Sequence, residues 1–78
     1  MKKVDNIPEG TYTIGIREIG KDVKAGKVKK IIVAKNCPKE IISKLEKLEI
    51  EMEIFTGDQI DMGTKLGKPF PVASVGIR

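Results

Sequence analysis

Histidine and tryptophan are absent from this 78-residue chain, cysteine occurs once, and the only aromatic residues are Tyr12, Phe55 and Phe70. Without histidine the usual neutral-pH general base and the usual zinc ligand are both missing. A single cysteine, Cys37, excludes an internal disulfide, and with no base beside it reads as a small residue at a helix entry rather than as a nucleophile. No apolar run approaches the ~18 residues of a membrane span, and Met1-Lys2-Lys3 leads into no apolar signal core. The phosphate-loop spacing, glycine, four residues, then Gly-Lys-Ser/Thr, is absent around Gly57 and Gly63. No nucleophile, base and metal set can be assembled, so the expectation is a soluble, unprocessed, intracellular protein that is not an enzyme. It should use no metal, cofactor or small-molecule substrate and touch no membrane.

Charge is what the chain has in quantity. Residues 1–35 carry nine Lys/Arg against four Asp/Glu, residues 36–64 three against seven, and residues 65–78 add three bases, for a net charge of +4. Basic ends around an acidic middle suggest a polyanion-binding face opposite an acidic one. Seventy-eight residues form one domain that buries a modest fraction of its surface, so a partner or an oligomer is expected.

Along the chain, residues 1–10 contain Pro8 and Gly10 and read as a flexible lead-in, with one domain over residues 11–78. Thr11 to Ile14 is β-branched and aromatic, a strand that Gly15 ends. Ile16, Ile19 and Val23 then recur at helical spacing until Gly26. The run Ile31 to Ala34 fits a central strand buried on both faces. Asn36 or Cys37 can cap a helix that opens with Pro38 and buries Ile41, Ile42, Leu45 and Leu48. Ile50, Met52 and Ile54 alternate with Glu49, Glu51 and Glu53, a strand with one wet face whose negative ladder discourages edge pairing. Asp58 can cap a third helix, with Asp61 near its start, Ile60 and Leu66 facing inward and Gly63 allowing a close approach, before Gly67 and Pro69 end it. Val72 to Ile77 is a last apolar strand, rich in small residues and expected to be central. Alternating strands and helices argue an α/β layered domain.

Two segments stand out as candidate sites. A helix opening directly after Gly15 can point the amides of Ile16 and Arg17 at a phosphate or base edge, with Arg17, Lys21 and Lys24 on one face; glycine at such a turn also has a purely conformational use. Phe70 lies between Pro69 and Pro71. A lone phenylalanine is more often core, but the flanking prolines keep this one out of regular structure, where an exposed ring can stack on an unpaired base. Phe55 ends an alternating strand and is expected in the core.

Three blocks, Ile14-Gly15-Ile16-Arg17-Glu18, Lys30-Ile31-Ile32-Val33-Ala34-Lys35-Asn36, and Gly63-Thr64-Lys65-Leu66-Gly67-Lys68-Pro69 leading into Val72-Ala73-Ser74-Val75, resemble the kink-turn-binding superfamily of ribosomal proteins. The likeness runs from about Thr11 to Ile77 and is greatest to its L-thirty-e branch. Arg17-Glu18 departs from the Asn-Glu of the L-seven-Ae branch, and the helix that precedes the first strand elsewhere in the superfamily has no counterpart in the ten polar residues before Thr11. The shortened start is expected to leave the sheet partly bare near Tyr12 and Ile14.

The resemblance implies a three-layer α-β-α sandwich around a four-stranded mixed sheet. It implies that the turn after the first strand meets tandem sheared G·A pairs of a kink-turn while the loop before the last strand covers a flipped-out base. Gly15, Arg17, Glu18 and Lys21 fall on the first site, to which the helix reading above adds the Ile16 amide and Lys24. Lys68, Pro69, Phe70, Pro71 and Val72 fall on the second, and Lys35 and Asn36 adjoin them. The expected function is that of a ribosomal RNA-binding structural protein of the large ribosomal subunit, cytoplasmic and ribosome-associated, with neighbouring ribosomal proteins as further partners. The alternatives are a stand-alone kink-turn binder in guide-RNA or RNA-processing particles and, in a different class, a small protein-docking module.

Overall fold

In the computed structural model, which describes residues 2–8 and 10–78, the elements in chain order are β1 (Lys2–Val4), β2 (Tyr12–Ile14), α1 (Ile16–Lys24), β3 (Lys30–Val33), α2 (Lys39–Glu46), β4 (Glu51–Phe55), α3 (Gln59–Lys65) and β5 (Ser74–Ile77). The strands form one mixed sheet in the order β1-β4-β3-β5-β2. The three on one side, β1, β4 and β3, are parallel, and β5 runs antiparallel to both β3 and β2. Ile31 and Val33 turn to the face covered by α1 and α2, where Ile19 and Leu45 meet them, and Ile32 turns to the other face, with Phe55, Val75 and Met62 of α3. The layers are therefore the α-β-α sandwich expected, because the uninterrupted apolar run Ile31-Ile32-Val33 must be covered on both sides. The sheet has five strands rather than four.

The extra strand comes from the supposed lead-in. Lys2–Val4 pairs with β4 in the register Lys2↔Glu53 and Val4↔Phe55, so an ammonium-bearing residue stands opposite a carboxylate-bearing one. Val4 and Ile7 then pack against the core on the α3 face. Met1 and Glu9, assigned to the same lead-in, lie outside the described residues. With β1 alongside, β4 becomes an interior strand, and the expected wet glutamate face is not wet throughout. Glu53 is buried, and the Lys30 ammonium lies 2.9 Å from its Oε1. Burying a charged group is costly unless an opposite charge stands against it, and Lys30 supplies that partner.

The inward stripe of α3 also differs from expectation. Met62 is buried and Leu66 half-buried, while Ile60 is 66% exposed. At ~3.6 residues per turn, Met62 and Leu66 are neighbours on one face, and Ile60, two residues before Met62, points away from it. β5 is buried along its whole length. A side chain on Gly76 would press on Val28 at 3.2 Å and Ile19 at 3.4 Å, so small residues are what let α1 lie close to the sheet. Tyr12 and Ile14 are half-buried; the Tyr12 hydroxyl donates to the Leu66 carbonyl at 3.0 Å.

Candidate nucleic-acid interface

The candidate residues, scattered over nearly sixty positions of sequence, come together because of how the strands are ordered and directed. Ile14 pairs with Val75 and Val33 with both Ser74 and Ile54, so the ends of β2, β3 and β4 and the start of β5 share one edge of the sheet. Two main-chain bonds extend that edge: Ala34 N–H to the Ala73 carbonyl at 2.8 Å, and Lys35 N–H to the Gly57 carbonyl at 2.9 Å. Gly15, Lys35, Asn36 and the loop that ends at Ala73 thus lie along one rim.

At this rim α1 begins uncapped. Gly15 is its N-cap with φ 97° and ψ 136°, and among the described residues no side chain bonds to the first turn. The first internal bond is Ile19 N–H to the Gly15 carbonyl at 2.9 Å, which leaves the amides of Ile16, Arg17 and Glu18 without helical acceptors. A Cβ on Gly15 would touch nothing within 4 Å, so glycine is required there for its positive φ rather than for want of room. Three free amides and the positive end of the helix dipole favour a negatively charged group.

The start of α3 is the opposite case. Asp58 accepts from the Asp61 amide at 2.9 Å, and Asp61 accepts from the Asp58 amide at 3.3 Å, a reciprocal capping box. Asn36 completes it: its Oδ1 accepts the Gln59 amide at 2.9 Å, and its carbonyl accepts the Gln59 side chain at 3.2 Å. Neither Asn36 nor Cys37 caps α2 as expected. That helix has Pro38 at its N-cap and no side-chain bond. Cys37 is buried, and burial pushes its thiol above the ordinary range, where it stays protonated.

Arg17, Glu18, Lys21 and Lys24 are all exposed. Lys21 stands 3.9 Å from Glu18, a surface pair of little energetic weight, and Arg17 has no ion partner among the described residues. Lys24, eight residues beyond Ile16, is displaced about 12 Å along the helix axis from the rim. Lys35 and Lys68 are exposed, the latter with its ammonium 6.0 Å from the centroid of the Tyr12 ring.

The loop after α3 is pinned at both ends by that helix. Lys68 N–H bonds the Gly63 carbonyl at 2.9 Å, and Val72 N–H bonds the Gln59 carbonyl at 3.0 Å. Between the pins Phe70 is 50% exposed, in contrast to Phe55, which is buried as expected. The general preference of phenylalanine for the core yields here to two prolines and a short span that hold the ring outside. Val72 is the exception among the proposed contacts: its side chain is 2% exposed and packed in the core, so only its main chain belongs to the loop. Beside Phe70 lies a shallow groove of about 280 Å³ to which α3 contributes Ile60 and Thr64. Those two were not foreseen; the Met62 and Leu66 spacing was the signal that would have turned Ile60 outward.

The family model of the ribosomal protein L7Ae/L30e/S12e/Gadd45 family matches residues 2–78. The chain belongs to this family. Among curated relatives, the large ribosomal subunit protein eL30 of Archaeoglobus fulgidus is 34% identical over 68 residues, which are 87% of this chain and 79% of that protein. The eL30 of Aeropyrum pernix is 35% identical over 77 residues, 94% of this chain and 77% of that one. Among solved structures, the Giardia lamblia 15.5kD RNA binding protein superposes with a TM-score of 0.66 at 19% identity, covering 85% of this chain and 58% of the other. A protein of unknown function from Bacillus halodurans gives 0.68 at 20%, covering 85% and 69%. At those identities the structures share the fold of the L7Ae/L30e family with this chain and carry no more than that. The uncapped turn at Gly15 and the Phe70 loop are thus features of a family member whose similar proteins include ribosomal ones.

Proposed function

We propose that the chain is a non-enzymatic RNA-binding component of the large ribosomal subunit, acting in the cytoplasm, and that its rim holds a kink-turn or similarly bulged helix of ribosomal RNA. The similarity to eL30 over most of the chain supports the ribosomal setting. The observation that supports the RNA reading is the uncapped first turn of α1 at the rim where the loop carrying the exposed Phe70 ends. The amides after Gly15 donate to phosphate or base-edge acceptors, and Arg17, Lys21, Lys35 and Lys68 neutralise phosphates. The Phe70 ring, stiffened by Pro69 and Pro71, stacks on an unpaired base. Lys24, farther from the rim, reaches only a flanking helix.

The test is a gel-shift titration on a kink-turn RNA and on the same RNA with its tandem G·A pairs replaced by Watson–Crick pairs, together with sedimentation of the tagged chain from cells. The kinked RNA should bind about tenfold or more tightly, as the loss of a good base contact at ~1–3 kcal/mol requires. The chain should travel with the large subunit. Equal affinity for both RNAs overturns kink-turn recognition, and free sedimentation overturns the ribosomal setting.

A further inference from the structure

Away from the loop that carries Phe70, a groove of about 290 Å³ runs between α1 and α2, lined by Ile16, Arg17 and Gly20 from one helix and Lys44, Leu45 and Leu48 from the other. Its floor is apolar: Leu45 is buried, and Ile16 and Leu48 are half-buried. Its rim is cationic: Arg17 and Lys44 are exposed, and neither has an ion partner among the described residues. Gly20 sits in the interior of α1, where glycine weakens a helix relative to alanine, yet nothing in the chain requires it. Its φ is not positive, and a Cβ there would meet no atom within 4 Å. The missing side chain leaves the groove open down to the helix backbone.

We infer that this groove docks an acidic, amphipathic segment of a partner protein. Apolar side chains of the segment pack on Ile16, Leu45 and Leu48, its main chain passes close over Gly20, and flanking Asp or Glu residues meet Arg17 and Lys44. Charge complementarity selects this occupant. A second copy of the chain seated groove to groove would set the same cations against each other, since a two-fold interface brings identical patches together. RNA would satisfy the cations, but the lining has no aromatic ring to stack a base on and an aliphatic floor that phosphate and ribose do not need.

The experiment is selection of a random displayed-peptide library on the full chain, followed by fluorescence anisotropy of the enriched peptides against the wild type, Gly20→Leu and Lys44→Glu. Gly20→Leu puts a side chain into the groove at a position where a Cβ meets no atom within 4 Å, and Lys44→Glu reverses one rim charge on an exposed position. Enriched peptides should combine Leu, Ile or Phe with Asp or Glu and lose about tenfold or more in affinity to each variant, the size of effect a central contact carries. Binding of the kink-turn RNA should be unchanged in both variants. Failure to enrich any peptide, enrichment of basic or uncharged ones, or acidic peptides that bind Gly20→Leu as tightly as the wild type would each overturn the inference. A loss of RNA affinity in Gly20→Leu would assign the groove to RNA and overturn it as well. Arg17 stands where the groove meets the RNA-facing rim, so the peptides are titrated on the chain without RNA, and their outcomes then do not depend on whether the rim binds a kink-turn.

Discussion

The carbonyl oxygen of Phe70 occupies the space in which a side chain on Gly63 would have to stand. That contact, with the bonds from Lys68 N–H to the Gly63 carbonyl and from Val72 N–H to the Gln59 carbonyl, makes α3 the mould for the loop that exposes the ring. Gly63→Ala should therefore cost ~1–3 kcal/mol, the usual penalty of inserting a methyl into filled space. It should also displace the loop, so denaturant unfolding and RNA titration on this variant should both show losses. Wild-type affinity in a destabilised Gly63→Ala would mean that the loop takes no part in RNA binding.

The two phenylalanines separate stability from recognition. Phe70→Ala, at a half-exposed position, should leave the melting temperature nearly intact and weaken RNA binding by ~1–3 kcal/mol. Phe55→Ala empties a buried site and should cost ~3–5 kcal/mol of stability. Thermal melts and gel shifts on both variants measure the contrast; a large stability loss in Phe70→Ala would make its ring part of the core.

Arg17→Ala and Lys21→Ala should each lower the steepness with which RNA affinity falls with salt, by up to ~0.9 in the logarithmic slope for a lost duplex phosphate contact and less on single strands. Both side chains are exposed, so folding should be little affected. Affinities measured across a salt series give the slopes directly, and unchanged slopes in both variants would take this face of α1 out of the interface.

Asp22 provides a pH signature that is independent of RNA. Its carboxylate accepts from the Thr13 hydroxyl and from Arg78, and these hydrogen bonds, Thr13 first and Arg78 second, hold it below the ordinary aspartate range. A depressed folded-state value contributes stability that is full above the unfolded-state value and is lost as pH falls through the folded one. Unfolding free energy measured from neutral into acid should drop through and below the ordinary aspartate range. In Asp22→Asn the neutral-pH stability should be lower and that part of the drop smaller. An identical acid profile in the variant would show that the cluster contributes no linkage.

Much of this protein is written locally. The run Ile31 to Ala34 is apolar at every position and so makes a strand covered on both faces. Ile41, Leu45 and Leu48, spaced by four and then three, fall on one side of a helix and make its inward stripe, and Asp58 with Asp61 closes a capping box within four residues. Gly15 and the Pro69-Phe70-Pro71 triplet likewise declared an open turn and an exposed loop, because glycine and proline act on the backbone wherever they occur. Tertiary structure decided what depends on neighbours distant in sequence. Lys2–Val4 became a strand because β4 offered an edge, and Glu53 became buried because β1 and Lys30 flank it. Asn36 turned from the helix that follows it to the one 23 residues away, since only the pairing of β3 with β4 puts Gln59 within reach. The rim itself belongs to this second class: Gly15, Lys35 and Phe70 carry their own chemistry, and only the strand order β4-β3-β5-β2 brings the turn at Gly15, Lys35 and the end of the Phe70 loop to one edge of the sheet.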